Sequence, residues 1–133
     1  MIVLDASAAI EWLLQTSKAP AIEARLFGRS AEPSRWHAPH LLDHEIAQVL
    51  RKQVAKGAMS DARGREALQD VLDLPLARYP HDFLLPRVWE LRQNLTAYDA
   101  VYVALAEALG ASLVTCDAKI ATAPGHHAKV DVV

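Results

Sequence analysis

Apolar residues recur along this chain in two rhythms, and their alternation predicts an architecture. Ile2-Val3-Leu4, Trp36-His37-Ala38, Leu76-Ala77-Arg78-Tyr79, Ser112-Leu113-Val114-Thr115 and Lys129 to Val133 are short runs bounded by turn-forming residues, and each reads as a strand. Between them the apolar positions take helical spacing. Ile10, Leu13 and Leu14 mark a first helix, opened by Ser7 as its cap. After a turn at Gln15 to Lys18, Ala19 to Phe27 gives a second helix, with Pro20 in its first turn and Gly28 behind it. Arg29 to Arg35, with Pro33, reads as a polar loop. Ile46, Val49, Leu50 and Val54 form one stripe on a helix from Leu41 to Lys56, closed by Gly57. Ser60 caps DARGREALQDVLDL, and Asp82 caps a helix from Phe83 to Gln93. Thr96 caps the Ala- and Leu-rich run that stops at Gly110. Strands alternating with helices predict an α/β fold, with a mainly parallel sheet of about four to five short strands covered on both faces.

Composition narrows this picture little. The chain of 133 residues is 52% hydrophobic and 23% charged, which excludes disorder and suits a single domain over residues 1–133. Asp5, Glu11, Asp99 and Glu107 interrupt every apolar run short of a membrane span. No basic segment followed by an apolar one opens the chain, and the lone Cys116 suits a reducing compartment, so a cytoplasmic protein with no membrane partner is expected.

The candidate chemistry lies in carboxylates. Asp5 ends the first strand and Asp117 follows the fourth, at the strand edge where α/β sheets bind ligands. Either residue also fits a turn or the start of a helix. Asp99, three residues after Thr96, suits a capping box as well as a site. Glu45 stands at the margin of the apolar stripe, where a charge without a partner is costly. Four converging carboxylates would repel, and a divalent cation with a taste for oxygen, Mg²⁺ or Mn²⁺, removes the conflict. Such a metal can activate water and steady a phosphoryl group, while one acid orients or deprotonates that water. Ser7 and Thr115 adjoin two of the acids and can hold them by hydrogen bonds, or serve as an ordinary cap and strand residue. The net charge of −2 gives no nucleic-acid footprint. With four of the 16 acids set aside for a metal, 12 face 14 Lys and Arg, and the remainder carries +2.

MIVLDAS, HEIAQVLRK and LTAYDAVYVALAEALGASLVTCDAKI together resemble the PIN domain, and within it the VapC-type toxins of bacterial toxin–antitoxin pairs. The resemblance spans essentially the whole chain, and its last motif is the most specific. It implies a three-layer α/β/α sandwich and an Mg²⁺-dependent ribonuclease centre, with Mn²⁺ as a possible substitute. Asp5, Glu45, Asp99 and Asp117 match the motif positions that bind the metal and catalyse. It further implies a homodimer, a structured RNA substrate such as tRNA, and a VapB-type antitoxin that lays a segment across the acidic site. Gln48 departs from the asparagine frequent at its position in the family.

Other readings compete. Arg51, Lys52 and Lys56, with Arg63 and Arg65, form either a solvated face or an RNA-contacting rim. His40-Leu41-Leu42-Asp43-His44 is one substitution from an inverted zinc-protease motif, so a zinc hydrolase using His40 and His44 is the sharp rival. A binding module that keeps the fold without the nuclease activity is the other. Tyr98 adjoins Asp99, within reach of base stacking.

Overall fold

The computed structural model describes residues 1–28 and 36–133; the loop read at Arg29 to Arg35 lies outside them. The strands are β1 (Ile2–Leu4), β2 (Trp36–Pro39), β3 (Leu76–Tyr79), β4 (Ser112–Thr115) and β5 (Lys129–Val132). They form one sheet in the order β3-β2-β1-β4-β5, with every neighbouring pair parallel. The helices are α1 (Ala6–Leu13), α2 (Ala19–Phe27), α3 (Leu41–Ala55), α4 (Asp61–Asp73), α5 (Leu85–Glu90), α6 (Ala97–Leu109) and α7 (Ala118–Thr122).

From β1 to β2 to β3 the chain moves one way along the sheet, and from β3 through β4 to β5 it moves the other. Right-handed crossovers therefore put α1 to α4 on one face and α5 to α7 on the opposite face. The contacts agree: α1 touches β4 and α3 touches β2, while α5 packs on α6, which lies against β1, β2 and β4. The strands are covered on both sides, which is why Val3, Leu4, Leu113 and Val114 are all buried. Residues Ala100 to Ala106 of α6 are all buried too, so this helix is apolar around its circumference and lies at the centre of the core. Its ends follow from local chemistry. Thr96 Oγ1 accepts the Asp99 N–H at 3.2 Å, and Gly110 closes the helix in the left-handed region at φ 61°.

The reversal of direction falls between β1 and β4. In such sheets a crevice opens at that point, outside the carboxyl ends of the strands. Asp5 and Asp117 stand there, and α3 and α6 both begin at the same edge because each runs antiparallel to the strands.

Several local expectations need correction. Ser7 does not cap α1: Asp5 is the last residue before the helix and Ser7 lies inside its first turn. Asp82 caps no long helix; Asp82–Leu84 is a 3₁₀ turn, and α5 ends at Glu90. Pro86 sits in the first turn of α5, so the 3₁₀ turn absorbs the residues that would have begun a longer helix. In α3 the buried residues are Leu42, Ile46 and Leu50, with Val49 and Val54 only half-buried. Strand β2 runs through Pro39, which is tolerated because β1 pairs only with Trp36 and His37 and demands no N–H there. Among the described residues no helix is long and apolar enough to cross a membrane.

Candidate active site

The site is built outward from Asp5, which is 5% exposed. Its Oδ2 accepts hydrogen bonds from Ser7 Oγ at 2.5 Å and from Thr115 Oγ1 at 2.6 Å. Each hydroxyl accepts a backbone bond in turn. The Cys116 N–H donates to Ser7 Oγ at 2.9 Å, and the Asp117 N–H to Thr115 Oγ1 at 3.0 Å. These four bonds stitch the carboxyl ends of β1 and β4 together at the crevice. They also fix the Asp5 carboxylate with one oxygen committed and Oδ1 free of hydrogen bonds among the described residues.

Glu45 lies on the second turn of α3 and accepts the Tyr102 O–H at Oε2, 2.9 Å away. Asp99 stands in the first turn of α6, and Asp117 caps α7 by accepting the Lys119 N–H at Oδ1, 2.9 Å. The capping alternatives thus hold for Asp117, and for Thr96 beside Asp99, without removing either carboxylate from the crevice. Burial pushes the Glu45 carboxyl above its ordinary value; the Tyr102 bond opposes this, and the Asp5 and Asp99 charges add to it. Burial likewise raises Asp99, with the Asp5 charge next, a Thr96 bond opposing, and Asp117 adding. The charges of Asp5 and Asp99 thus reach Glu45, and those of Asp5 and Asp117 reach Asp99.

Seven other carboxylates, including Asp43 with Arg78 and Glu107 with Arg87, pair with cations. Among the described residues none of the four crevice acids does. Clustered, partly buried, unpaired and oxygen-only, this donor set fits a hard divalent cation. No three His, Cys, Asp or Glu side chains among the described residues close on a single ion. Magnesium does not need that, since it keeps several waters and binds through one or two direct carboxylates.

Tyr102 is a site residue that its position in an apolar helical run does not single out. It is fully buried, and a buried tyrosine hydroxyl needs a partner; its spacing of three from Asp99 puts both on one face of α6. Tyr102→Phe is expected to lower kcat about 10-fold, with KM for RNA unchanged, as for a lost partner of a ligand. It should also move the acidic limb of the pH–rate profile to higher pH, because the bond that held Glu45 down is gone; steady-state kinetics across pH checks both.

The basic residues divide. Lys52 and Lys56 share the Glu45 face of α3, two and three turns on, and both are exposed. Arg51 instead lines a groove between α3 and α4. His40 and His44 turn to different neighbours. The His40 ring lies 6.2 Å from that of His81, whose Nε2 accepts the Leu41 N–H, while His44 faces a cleft beside Glu45.

The PIN domain family model matches residues 2–125 of this chain. Ribonuclease VapC12 of Mycobacterium tuberculosis is 40% identical over 133 residues, which is 100% of this chain and 99% of that protein. Ribonuclease VapC9 of the same organism is 47% identical over 120 residues, 90% of this chain and 88% of that one. Among solved structures, VapBC2 from Rickettsia felis, bound to a DNA fragment from their promoter, superposes with a TM-score of 0.67 at 15% identity. It covers 99% of this chain and 98% of its own, and supports the fold alone. An acidic crevice at the switch point of a five-stranded parallel sheet, together with these matches, places the chain in the PIN-domain family, among the VapC-type ribonucleases.

Proposed function

We propose that this chain is a divalent-metal-dependent endoribonuclease, the toxin of a type II toxin–antitoxin pair, acting on structured RNA such as tRNA. The observation that carries the reading is the set of four carboxylates, Asp5, Glu45, Asp99 and Asp117, over the carboxyl edge of β1 and β4, without a cation partner among the described residues. These residues would hold Mg²⁺, or Mn²⁺ in its place, directly or through water. When bound, such an ion supplies a Lewis acid for the phosphoryl oxygens and lowers the pKa of a water.

The protein's own part is positioning and proton transfer. Ser7 and Thr115 fix Asp5, and Tyr102 fixes Glu45, so the carboxylates meet the substrate without reorganising. Glu45 and Asp99, whose carboxyls hold protons more tightly than usual, are the groups suited to take the proton of the attacking water. Lys52 and Lys56 continue the Glu45 face as a track for phosphates. Replacing either by alanine should reduce the salt slope of RNA binding by about 0.7, read from affinities at several salt concentrations.

The antitoxin partner follows from the toxin–antitoxin relatives. An anionic, unpaired crevice suits closure by a basic side chain of that partner. A second copy of the chain is proposed to pair through Phe83, Leu85 and Trp89, each more than half exposed. Controlled expression in a bacterial host tests the function. The wild-type chain should arrest growth and leave discrete RNA fragments, and Asp5→Asn should do neither while accumulating as folded protein. Arrest by both chains would overturn the nuclease reading in favour of a binding module.

A further inference from the structure

Beside the acids the surface changes character. A cleft of about 560 Å³ opens between α1, α3 and the start of α6. Ala6, Ile10, Leu41 and Val49 make it apolar, and Glu45 and Ser7 belong to both the cleft and the acidic site. Tyr98 forms one wall, a single residue before Asp99, and is 63% exposed. Among the described residues its ring makes no hydrogen bond or ring contact. A large aromatic ring this exposed leaves a face open for stacking. The rim carries His44 and Gln48, and among the described residues no lysine or arginine lines the cleft.

RNA offers three chemistries to such a place. A phosphate would meet the Glu45 carboxylate with no lysine or arginine among the described lining residues to offset it, so it fits poorly. A ribose offers these walls a few C–H groups but no flat face for Tyr98. A nucleobase has a flat π-face for Tyr98 and polar edges for the rim. The Gln48 amide can donate and accept at once, as reading a base edge requires. A base inside an A-form helix cannot reach a side pocket, so the occupant must be unstacked.

We propose that this cleft is the subsite for one unstacked RNA base next to the scissile phosphate, with Tyr98 as stacking platform and Gln48 as reader of the base edge. The proposal rests on the ribonuclease reading and deepens it. It makes the substrate class RNA with an unpaired nucleotide at the cut, and makes Gln48 a specificity-determining residue.

The test uses stem-loop RNAs with randomised loops that carry a single 2-aminopurine, in the loop or in the stem. They are titrated with partner-free protein in Mg²⁺, and binding and cleavage are followed in the same samples. Stacking on Tyr98 should change the fluorescence of the loop probe and leave the stem probe unaltered. Tyr98→Ala should abolish the change and weaken binding about 5- to 150-fold, the range for one lost base stack. Tyr98→Phe should preserve both, and Gln48→Ala should bind but flatten the base preference at the mapped cut. The subsite is refuted if Tyr98→Ala keeps the fluorescence change, if both probes respond alike, or if that variant weakens only antitoxin binding. In the last case the cleft is a protein-docking site. A fluorescence change that depends on Tyr98 without any cleavage would uphold the subsite and tell against the nuclease reading alone.

Discussion

Asp99→Asn is expected to slow RNA cleavage by about 10²- to 10⁴-fold, the range for a lost acid–base group, and at the same time to make the metal-free protein more heat-stable at neutral pH. Asp99 sits in the first turn of α6 with its carboxyl raised by burial and by the Asp5 charge. The sign of the stability effect follows from that direction. A carboxyl raised in the folded state favours folding fully below its ordinary value. It loses that contribution as pH climbs through the raised one. Starting from 4.5 for Glu45 and 3.8 for Asp99, metal-free wild type should therefore lose stability through these groups as pH rises towards neutral. Glu107 runs the other way: burial pushes its carboxyl up, but the Arg87 hydrogen bonds and the His127 N–H more than reverse this. The difference between wild type and Asp99→Asn, rather than either profile alone, isolates the crevice. Thermal melts from pH 4 to pH 8, with chelator and with Mg²⁺, read it. In chelator the variant should gain on wild type as pH rises. Mg²⁺ should stabilise wild type and do less for the variant. An Asp99→Asn protein less stable than wild type in chelator at neutral pH would mean that the carboxylates do not repel.

Thr115→Val tests the frame beneath the acids and should lower both activity and stability. The side chain is fully buried, and the substitution keeps its shape but removes one donor and one acceptor. Asp5 Oδ2 loses its 2.6 Å bond, and the Asp117 N–H loses its 3.0 Å acceptor, so both crevice aspartates are disturbed by one change. Leaving buried polar groups unpaired should cost about 1–3 kcal/mol of folding free energy, read by denaturant unfolding. Cleavage should fall about 10- to 100-fold, as for partners that orient metal ligands. Thr115→Ser keeps the hydroxyl and should retain most of the activity. If valine and serine variants matched wild type, the bonds to Asp5 would be incidental to catalysis.

Much of this arrangement was legible in the sequence because local signals and burial coincide. β4 keeps the bounds its apolar run suggests, since a strand buried on both faces reads as a nearly continuous apolar segment. Thr96 and Gly110 delimit α6 because capping chemistry is local. Asp5, Asp99 and Asp117 stood out because each lies where a strand ends or a helix begins, Glu45 because it borders an apolar stripe, and the resemblance to the PIN domain joined them into one set. What sequence spacing could not supply was the long-range partners of the acids. Tyr102 reaches Glu45 across 57 positions, and Thr115 reaches Asp5 across 110. Such pairings are set by the crossover of the chain over its own sheet. Of the two roles open to Ser7, holding Asp5 prevails over capping α1: its hydroxyl donates to Asp5 Oδ2 and accepts the distant Cys116 N–H. Asp82 was misread because Pro86 shifts the start of α5, a purely local conflict in which proline dominates.

The decisive measurement is RNA cleavage by the purified chain, freed of any partner, in Mg²⁺ and in chelator, with Asp99→Asn alongside. A metal-dependent ribonuclease built on these carboxylates predicts discrete fragments with wild type in Mg²⁺, none in chelator, and a loss of at least 100-fold in the variant. Equal cleavage by Asp99→Asn, or cleavage that persists in chelator, would contradict it.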